Sequence, residues 1–135
     1  MLPYLWGVVR AIFTYQPVSV TFEVDGEAPQ TKPLLLLAVA NGRYFGGGID
    51  VAPTSKPDDG LFDLIVIETM PRRKMPFQLP KLVNGRVFDI PGISFRRCHC
   101  VTMTAKDLRV NVDGEVVPVE RATFQMLPGS ILAHW

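Results

Sequence analysis

Few residues in this chain are equipped for metal or redox chemistry. Among 135 residues only two are cysteine and two histidine, and Cys98, His99 and Cys100 are consecutive. On a strand the two thiols would share one face, with His99 on the other, a poor arrangement for a common metal; a zinc centre also needs more ligands. The cysteines are read as small buried hydrophobes of a reducing compartment. His134, near the C-terminal end, has no catalytic pairing in view. Net charge is also scarce: at +1 the chain offers no global electrostatic case for nucleic acid. No long apolar run is present, since the longest, Pro33 to Ala40, is far short of the roughly 20 residues a spanning helix needs. The apolar segment Met1 to Phe13 carries no basic n-region and no small-residue cleavage site, so a signal peptide is not expected. A phosphate loop ending in Gly-Lys-Ser/Thr is missing too. Gly46 to Gly48 does not replace it, because no lysine or hydroxyl residue follows at the proper spacing.

What remains is globular. With 47% hydrophobic and 20% charged residues, the chain has the composition of one folded domain over residues 1–135. Leu2, Leu5, Trp6, Val9, Ile12 and Phe13 recur at helical spacing, and Pro17 closes that segment. Val18, Val20, Phe22 and Val24 alternate with polar residues, as in a half-buried strand. Asp25-Gly26 is a hairpin turn signal, with a return strand to about Ala40. A short strand is expected from Ile49 to Ala52. The nearly unbroken apolar stretch within Leu61 to Glu68 reads as a strand buried on both faces. Met70 to Leu82 suits one or two helical turns, since Pro76 and Pro80 oppose a long regular helix. Short strands then follow at Ile93–Phe95, Cys98–Thr104, Leu108–Val112, Val116–Val119 and Ala122–Leu127, with a turn at Asp113-Gly114. Many short strands and little helix argue for an antiparallel sandwich or barrel-like domain.

Two stretches carry the functional signal. Asn41-Gly42-Arg43-Tyr44-Phe45-Gly46-Gly47-Gly48 sets a glycine triplet beside an aromatic pair, where backbone passes close to something other than its own side chains. Asp58-Asp59-Gly60-Leu61-Phe62-Asp63 places three carboxylates around one glycine at the entrance of an apolar strand, which suits a hard cation or a charged interface. Either stretch alone is also compatible with an ordinary turn. The tetrapeptide Val-Asp-Gly-Glu occurs twice, at Val24 to Glu27 and at Val112 to Glu115. The segment holding Met70, Arg72, Arg73, Lys74, Met75 and Phe77 mixes bases with apolar side chains. It suits contact with an anionic membrane surface, or, more ordinarily, a solvated loop whose apolar residues pack inward. Tyr44 and Phe45 either line a cleft or fill the core.

Taken in order, NGRYFGGG, APTSKPDDGLFD, a basic proline-broken segment and a late NVDGE resemble the C-terminal domain of the diacylglycerol kinase-like lipid kinases. These are bacterial soluble lipid kinases related to sphingosine and ceramide kinases, and the likeness covers nearly the whole chain. It implies a mainly β fold: an antiparallel β-sandwich of the NAD kinase/diacylglycerol kinase C-terminal type, with an N-terminal helix and a short helical insertion. It also implies a two-domain enzyme that transfers the γ-phosphate of ATP to a lipid hydroxyl, diacylglycerol first, in the cleft between its domains. The family's Gly-Gly-Asp-Gly-Thr nucleotide motif does not occur here. The expected partner is therefore an N-terminal nucleotide-binding domain, and the isolated chain is expected to be inactive. An apolar face uncovered without that domain implies self-association, a homodimer for example. The location implied is cytoplasmic, peripheral at the membrane.

By the same resemblance, Glu115 of the late Val-Asp-Gly-Glu is the catalytic proton acceptor. Glu27, in the identical tetrapeptide, is not. A structural Mg2+ is implied at the Asp-Gly-Leu turn, held by the Asp59 carboxylate and the backbone carbonyls of Lys56 and Leu61. Asp58 and Asp63 are placed in supporting or solvent-facing positions. Asn41, Gly46, Gly47, Gly48 and Asp113 are expected at the cleft. A sphingoid-base or other lipid-alcohol kinase is the enzymatic alternative, and a non-catalytic β-sandwich that binds lipid or a partner protein is the alternative of another class.

Overall fold

The computed structural model describes residues 16–45, 48–112 and 114–130. The expected N-terminal helix lies outside them, as do Gly46, Gly47 and Asp113. Within them the fold is mainly β. Strands β1 (Val18–Val24), β2 (Gln30–Ala40), β5 (Phe62–Glu68), β6 (Ile93–Cys98), β7 (Cys100–Val112) and β8 (Glu115–Gln125) form one sheet. Its order is β6-β5-β2-β1-β7-β8, and every pairing is antiparallel. Strands β3 (Tyr44–Phe45) and β4 (Ile49–Asp50) form a separate two-stranded ribbon. This is the expected antiparallel, sandwich-like domain.

The connection between β6 and β7 determines the shape. Only His99 separates these strands, yet β6 forms one edge of the sheet beside β5 while β7 lies between β1 and β8. A continuous chain can occupy both places only if the sheet folds over on itself and the strand turns a corner at His99. The Cys-His-Cys triplet is thus a bend between two strands and not part of one strand. Cys98 faces the interior as a free thiol. Burial pushes its pKa up to about 11, which leaves it protonated and unreactive at neutral pH.

Folding over encloses a first core of Val20, Phe22 and Val24 from β1, Leu34 from β2, Leu64 and Val66 from β5, and Cys98, Val101, Met103 and Ala105 from the corner strand. The alternate residues of β5, Ile65 and Ile67, pack into a second core with Val51 and Ala52. Period-two alternation therefore buries β5 on both faces, as its unbroken apolar run requires. The second core is also bordered by Met70 and Ile93.

Three local expectations needed revision. After β6 the chain forms two long strands, not four short ones. β7 and β8 pair from Cys100–Gln125 out to Val112–Glu115, with a bulge between Thr104 and Leu108. There Asp107 takes φ 59°, and the polar break that suggested a strand end is the bulge itself. The helix α1 runs for nine residues, Met75–Val83. Pro76 sits in its first turn, where a missing N–H is harmless, so only Pro80 interrupts the bonding pattern. Ile49 to Ala52 is shorter as a strand, because Val51 and Ala52 leave β4 to fill the second core. No helix among the described residues is long and apolar enough to cross a membrane.

The corner is held by the first Val-Asp-Gly-Glu turn. Asp25, at φ 50°, accepts the backbone N–H groups of His99 (2.9 Å) and Cys100 (2.8 Å) at Oδ1, and its own N–H donates to the Cys100 carbonyl at 3.0 Å. Partial burial alone would raise the Asp25 pKa, but the N–H groups of Cys100 and His99 outweigh it and hold the carboxyl below its ordinary 3.8. A depressed folded-state pKa stabilises the fold fully above the unfolded value, and that stability is lost as pH falls through the folded value. Asp25→Ala, which removes the acceptor and puts alanine at positive φ, is expected to cost about 1 kcal/mol after allowance for solvent. Asp25→Asn should cost less, since asparagine keeps an acceptor and tolerates this backbone. In acid melts from pH 6 down to pH 2, both variants should lose less stability than wild type. Identical acid limbs would show that Asp25 does not hold the corner.

Candidate functional site

The two Val-Asp-Gly-Glu turns have the same local sequence and opposite surroundings. In the first, Glu27 meets the guanidinium of Arg96 with both carboxylate oxygens; the Nη1–Oε2 bond measures 2.6 Å. Its pKa is lowered by that side-chain hydrogen bond. Glu27 is thereby tied to the last turn of strand before the corner. In the second, Glu115 opens β8 opposite Val112. It is exposed, and its side chain has no hydrogen bond or ion pair among the described residues. The tip is shaped by Asn111, whose Oδ1 accepts the Gly114 N–H at 2.9 Å.

The surface around Glu115 follows from the register. Directly opposed residues of an antiparallel pair project from one face, and the next such pair on that face lies two residues along. Glu115 and Val112 therefore share a face with the pair Val110–Val117 and the pair Leu108–Val119. Val112 and Val117 are substantially exposed. The carboxylate stands at the end of an apolar strip on a ribbon that projects past the core.

The acidic turn lies at the other end of this hairpin, by the corner. Successive arginines on β6 point to opposite faces. Arg96 takes Glu27, while Arg97 donates to Asp59 Oδ2. The other Asp59 oxygen accepts the Leu61 N–H at 3.1 Å, closing a side-chain turn over Gly60, which has φ +74°. Pro128 packs against Gly60, so the segment after β8 buttresses the turn. Asp63, paired with Arg97 across β5 and β6, is only 4% exposed and is not the solvent-facing residue allowed for in the sequence. Its Oδ1 is 4.0 Å from the Arg97 Nε, and its Oδ2 is buried without a partner.

Two carboxylates thus share one guanidinium, and one buried oxygen has no donor. A buried carboxylate oxygen without a donor is costly, and hard oxygen donors in a negative pocket suit Mg2+ or water. Among the described residues, no three acidic, histidine or cysteine side chains converge on a point. A cation here would need backbone carbonyls and waters to complete its shell, which is the donor set expected of Asp59 with the carbonyls of Lys56 and Leu61. In this structure both Asp59 oxygens are engaged, by Arg97 and by the Leu61 N–H, so of these carboxylates only the Asp63 Oδ2 is left open to a cation or water. No hydrogen bond or ion pair joins this turn to Glu115 among the described residues, so the expected metal and catalytic positions do not form one cluster.

Of the expected cleft residues, Asn41 follows Ala40, which pairs with Asp63, so it lies at the same end of the sheet as the acidic turn. Gly48 takes φ +96° in the turn before β4, and a Cβ there would meet open space; its need for glycine is conformational. Tyr44 and Phe45 are 64% and 58% exposed and do not fill the core. The arginine pair was overlooked in the sequence, although two adjacent bases on an alternating strand could have been expected to serve two acids on opposite faces.

Comparisons with known proteins agree with this fold. Residues 1–133 match the model of the YegS C-terminal NAD kinase beta sandwich-like domain. A Pseudomonas savastanoi pv. phaseolicola protein named "Probable lipid kinase YegS-like" is 33% identical over 101 residues, covering 75% of this chain and 33% of that protein. A Chromohalobacter salexigens protein of the same name is 31% identical over 136 residues, covering 94% and 40% respectively. A Bacillus anthracis diacylglycerol kinase structure superposes with a TM-score of 0.63 at 20% identity, over 91% of this chain and 44% of that one, a likeness of fold. The chain spans between a third and two-fifths of the length of these curated relatives. With the sheet, the corner and nearly the full length accounted for, the chain belongs to the family of YegS C-terminal NAD kinase β-sandwich-like domains found in lipid kinases.

Proposed function

We propose that this chain is the acceptor-side half of an ATP- and Mg2+-dependent lipid kinase, in which Glu115 receives the proton of a lipid hydroxyl, diacylglycerol being the preferred acceptor. The observation that carries the reading is the contrast between the two identical tetrapeptides. Glu27 is neutralised by Arg96 at the sheet corner. Glu115 is exposed, unpaired among the described residues, and set at the end of an apolar strip. A general base needs a free carboxylate in reach of its proton, and a lipid alcohol needs apolar surface beside that carboxylate. An N-terminal nucleotide-binding domain would face this ribbon and hold ATP.

In the reaction, the lipid hydroxyl oxygen attacks the γ-phosphorus and the bond to the β-phosphate oxygen breaks, giving ADP and the lipid phosphate. The hydroxyl proton passes to a Glu115 oxygen as the oxygen–phosphorus bond forms. The two-stranded pairing of Val112 with Glu115 and the Asn111 bond to Gly114 fix the backbone from which the carboxylate projects, which limits how far it must move. Mg2+ at the Asp59 turn, with the Lys56 and Leu61 carbonyls, would stabilise the loop beside the corner and offset the excess negative charge of Asp59 and Asp63 over Arg97.

Two outcomes are expected in the complete protein. Glu115→Gln should lower turnover by about 100- to 10,000-fold, the usual range for a lost general base, with lipid binding little changed. Glu27→Gln should leave turnover within about a few-fold of wild type, since it exchanges one exposed ion pair for a polar side chain. The large loss appearing at Glu27, or at neither glutamate, would remove Glu115 from its role. Added Mg2+ should raise the melting temperature by mass action, and Asp59→Ala should abolish that response. An equal response in wild type and variant would place the metal elsewhere.

A further inference from the structure

The two oxygens of Asp59 are held in different ways. Oδ1 accepts the Leu61 N–H at 3.1 Å, a bond internal to the turn that sets its shape over Gly60. Oδ2 is taken by Arg97, which belongs to another strand. Arg97 stands directly opposite Asp63 in the β5–β6 pairing, so these two side chains leave the same face of the sheet. A cation that enters through Asp59 without unmaking the turn must therefore take Oδ2, the oxygen that Arg97 holds.

One guanidinium serves two carboxylates incompletely. The Arg97 Nε is 4.0 Å from the Asp63 Oδ1, beyond hydrogen-bond range. Asp63 Oδ2 is buried with no partner among the described residues. A side chain only 5% exposed cannot turn that oxygen to bulk water, and one formal negative charge is left over in a closed place. A hard divalent cation carries twice the charge of a guanidinium and prefers such oxygens. Arg97 can give way to it, because its own side chain is 48% exposed and exposed pairs hold weakly. Arg96 projects from the other face of β6 and holds Glu27 through both Nη atoms.

We propose that Arg97 is a displaceable counter-cation built into the acidic turn: it competes with a hard divalent cation for Asp59 Oδ2, and metal entry releases its guanidinium to solvent. The turn then has a positive partner in either state and keeps its shape over Gly60 when metal is scarce. The consequence is a weaker apparent affinity for metal, since the binding-competent state is the one in which the Arg97 pair is open. This competition rests on the Mg2+ reading of the turn given above.

Thermal melts of the complete protein without nucleotide, in chelator and across a Mg2+ titration, test it. Arg97→Gln should lower the midpoint Mg2+ concentration for stabilisation by about fivefold, the factor that loss of one competing exposed ion pair allows. In chelator the same variant should melt below wild type, because both carboxylates then lack a counter-charge. Arg97→Lys, which keeps the charge without the planar fork, should fall between the two. Arg96→Gln is the control: it breaks an ion pair on the same strand and should leave the Mg2+ midpoint unchanged. Adding Asp59→Ala to Arg97→Gln should remove the gain. If Arg97→Gln does not fold in chelator, Mg2+ should restore it, and a failure to restore it would count against the proposal. Equal midpoints in wild type and Arg97→Gln, or the same shift in Arg96→Gln, would overturn the competition and leave the metal reading standing. A response in Arg97→Gln with none in wild type would support the competition and sink the metal reading for the natural chain. No response in either would sink both.

Discussion

One carboxylate oxygen holds together the part of the fold on which the rest depends. Asp25 Oδ1 accepts two consecutive backbone N–H groups at the point where β6 becomes β7. Those donors belong to residues turning a corner, where the ladder on either side cannot satisfy them. An unpaired backbone N–H at such a place is costly. The side chain that fills this need comes from the turn between β1 and β2, so the first hairpin and the sheet corner stabilise each other. Glu27 adds a second tie to Arg96, and the carbonyl of His99 accepts the Met126 N–H at 2.7 Å from the end of β8. The folded-over sheet, its enclosed core and the position of the acidic turn all follow from this corner.

The corner also separates structural from chemical work. Its near side gathers charges that are mostly spoken for: Glu27 with Arg96, and Asp59 with Arg97. The buried Asp63 oxygen is the exception, having no donor among the described residues. From the corner, β7 and β8 run outward past the bulge at Asp107 and carry Glu115 to an exposed tip. Beyond the core this ribbon has fewer buried contacts than the sheet, so its tip is held by cross-strand pairing and the Asn111 bond. The Glu115 carboxylate on this projection is unpaired among the described residues because no base from the corner reaches it.

Much of the architecture was legible from residue order. The alternation of Val18 to Val24 and the Asp25-Gly26 turn placed the first hairpin. The unbroken run Leu64 to Ile67 identified a strand with two buried faces, and both cores confirm it. The polar break around Lys106 and Asp107 misled, because a bulge and a strand end have the same composition. Pro80 misled in the other direction: a single interior proline reduces helix stability, but packing of Met75 and the bonds from Asn84 and Arg86 to the Pro80 and Lys81 carbonyls sustain the nine residues. Tyr44 and Phe45 could not be assigned because an aromatic pair beside glycines serves a core or a surface equally well.

By itself the sequence determined the class of fold, the turns, the family likeness and the list of acidic residues worth considering, since periodicity and turn chemistry are local properties. The different environments of the two Val-Asp-Gly-Glu glutamates were decided only by tertiary structure. Their immediate neighbours are identical, so no local propensity distinguishes them. The difference lies in Arg96, 69 residues from Glu27 along the chain, which the folded sheet brings against one glutamate and keeps from the other. The same holds for Asp63, whose burial comes from pairing with Arg97 and from the loop that covers β5. Charge neutralisation and desolvation depend on distances through space, and those exist only after the strand has turned its corner.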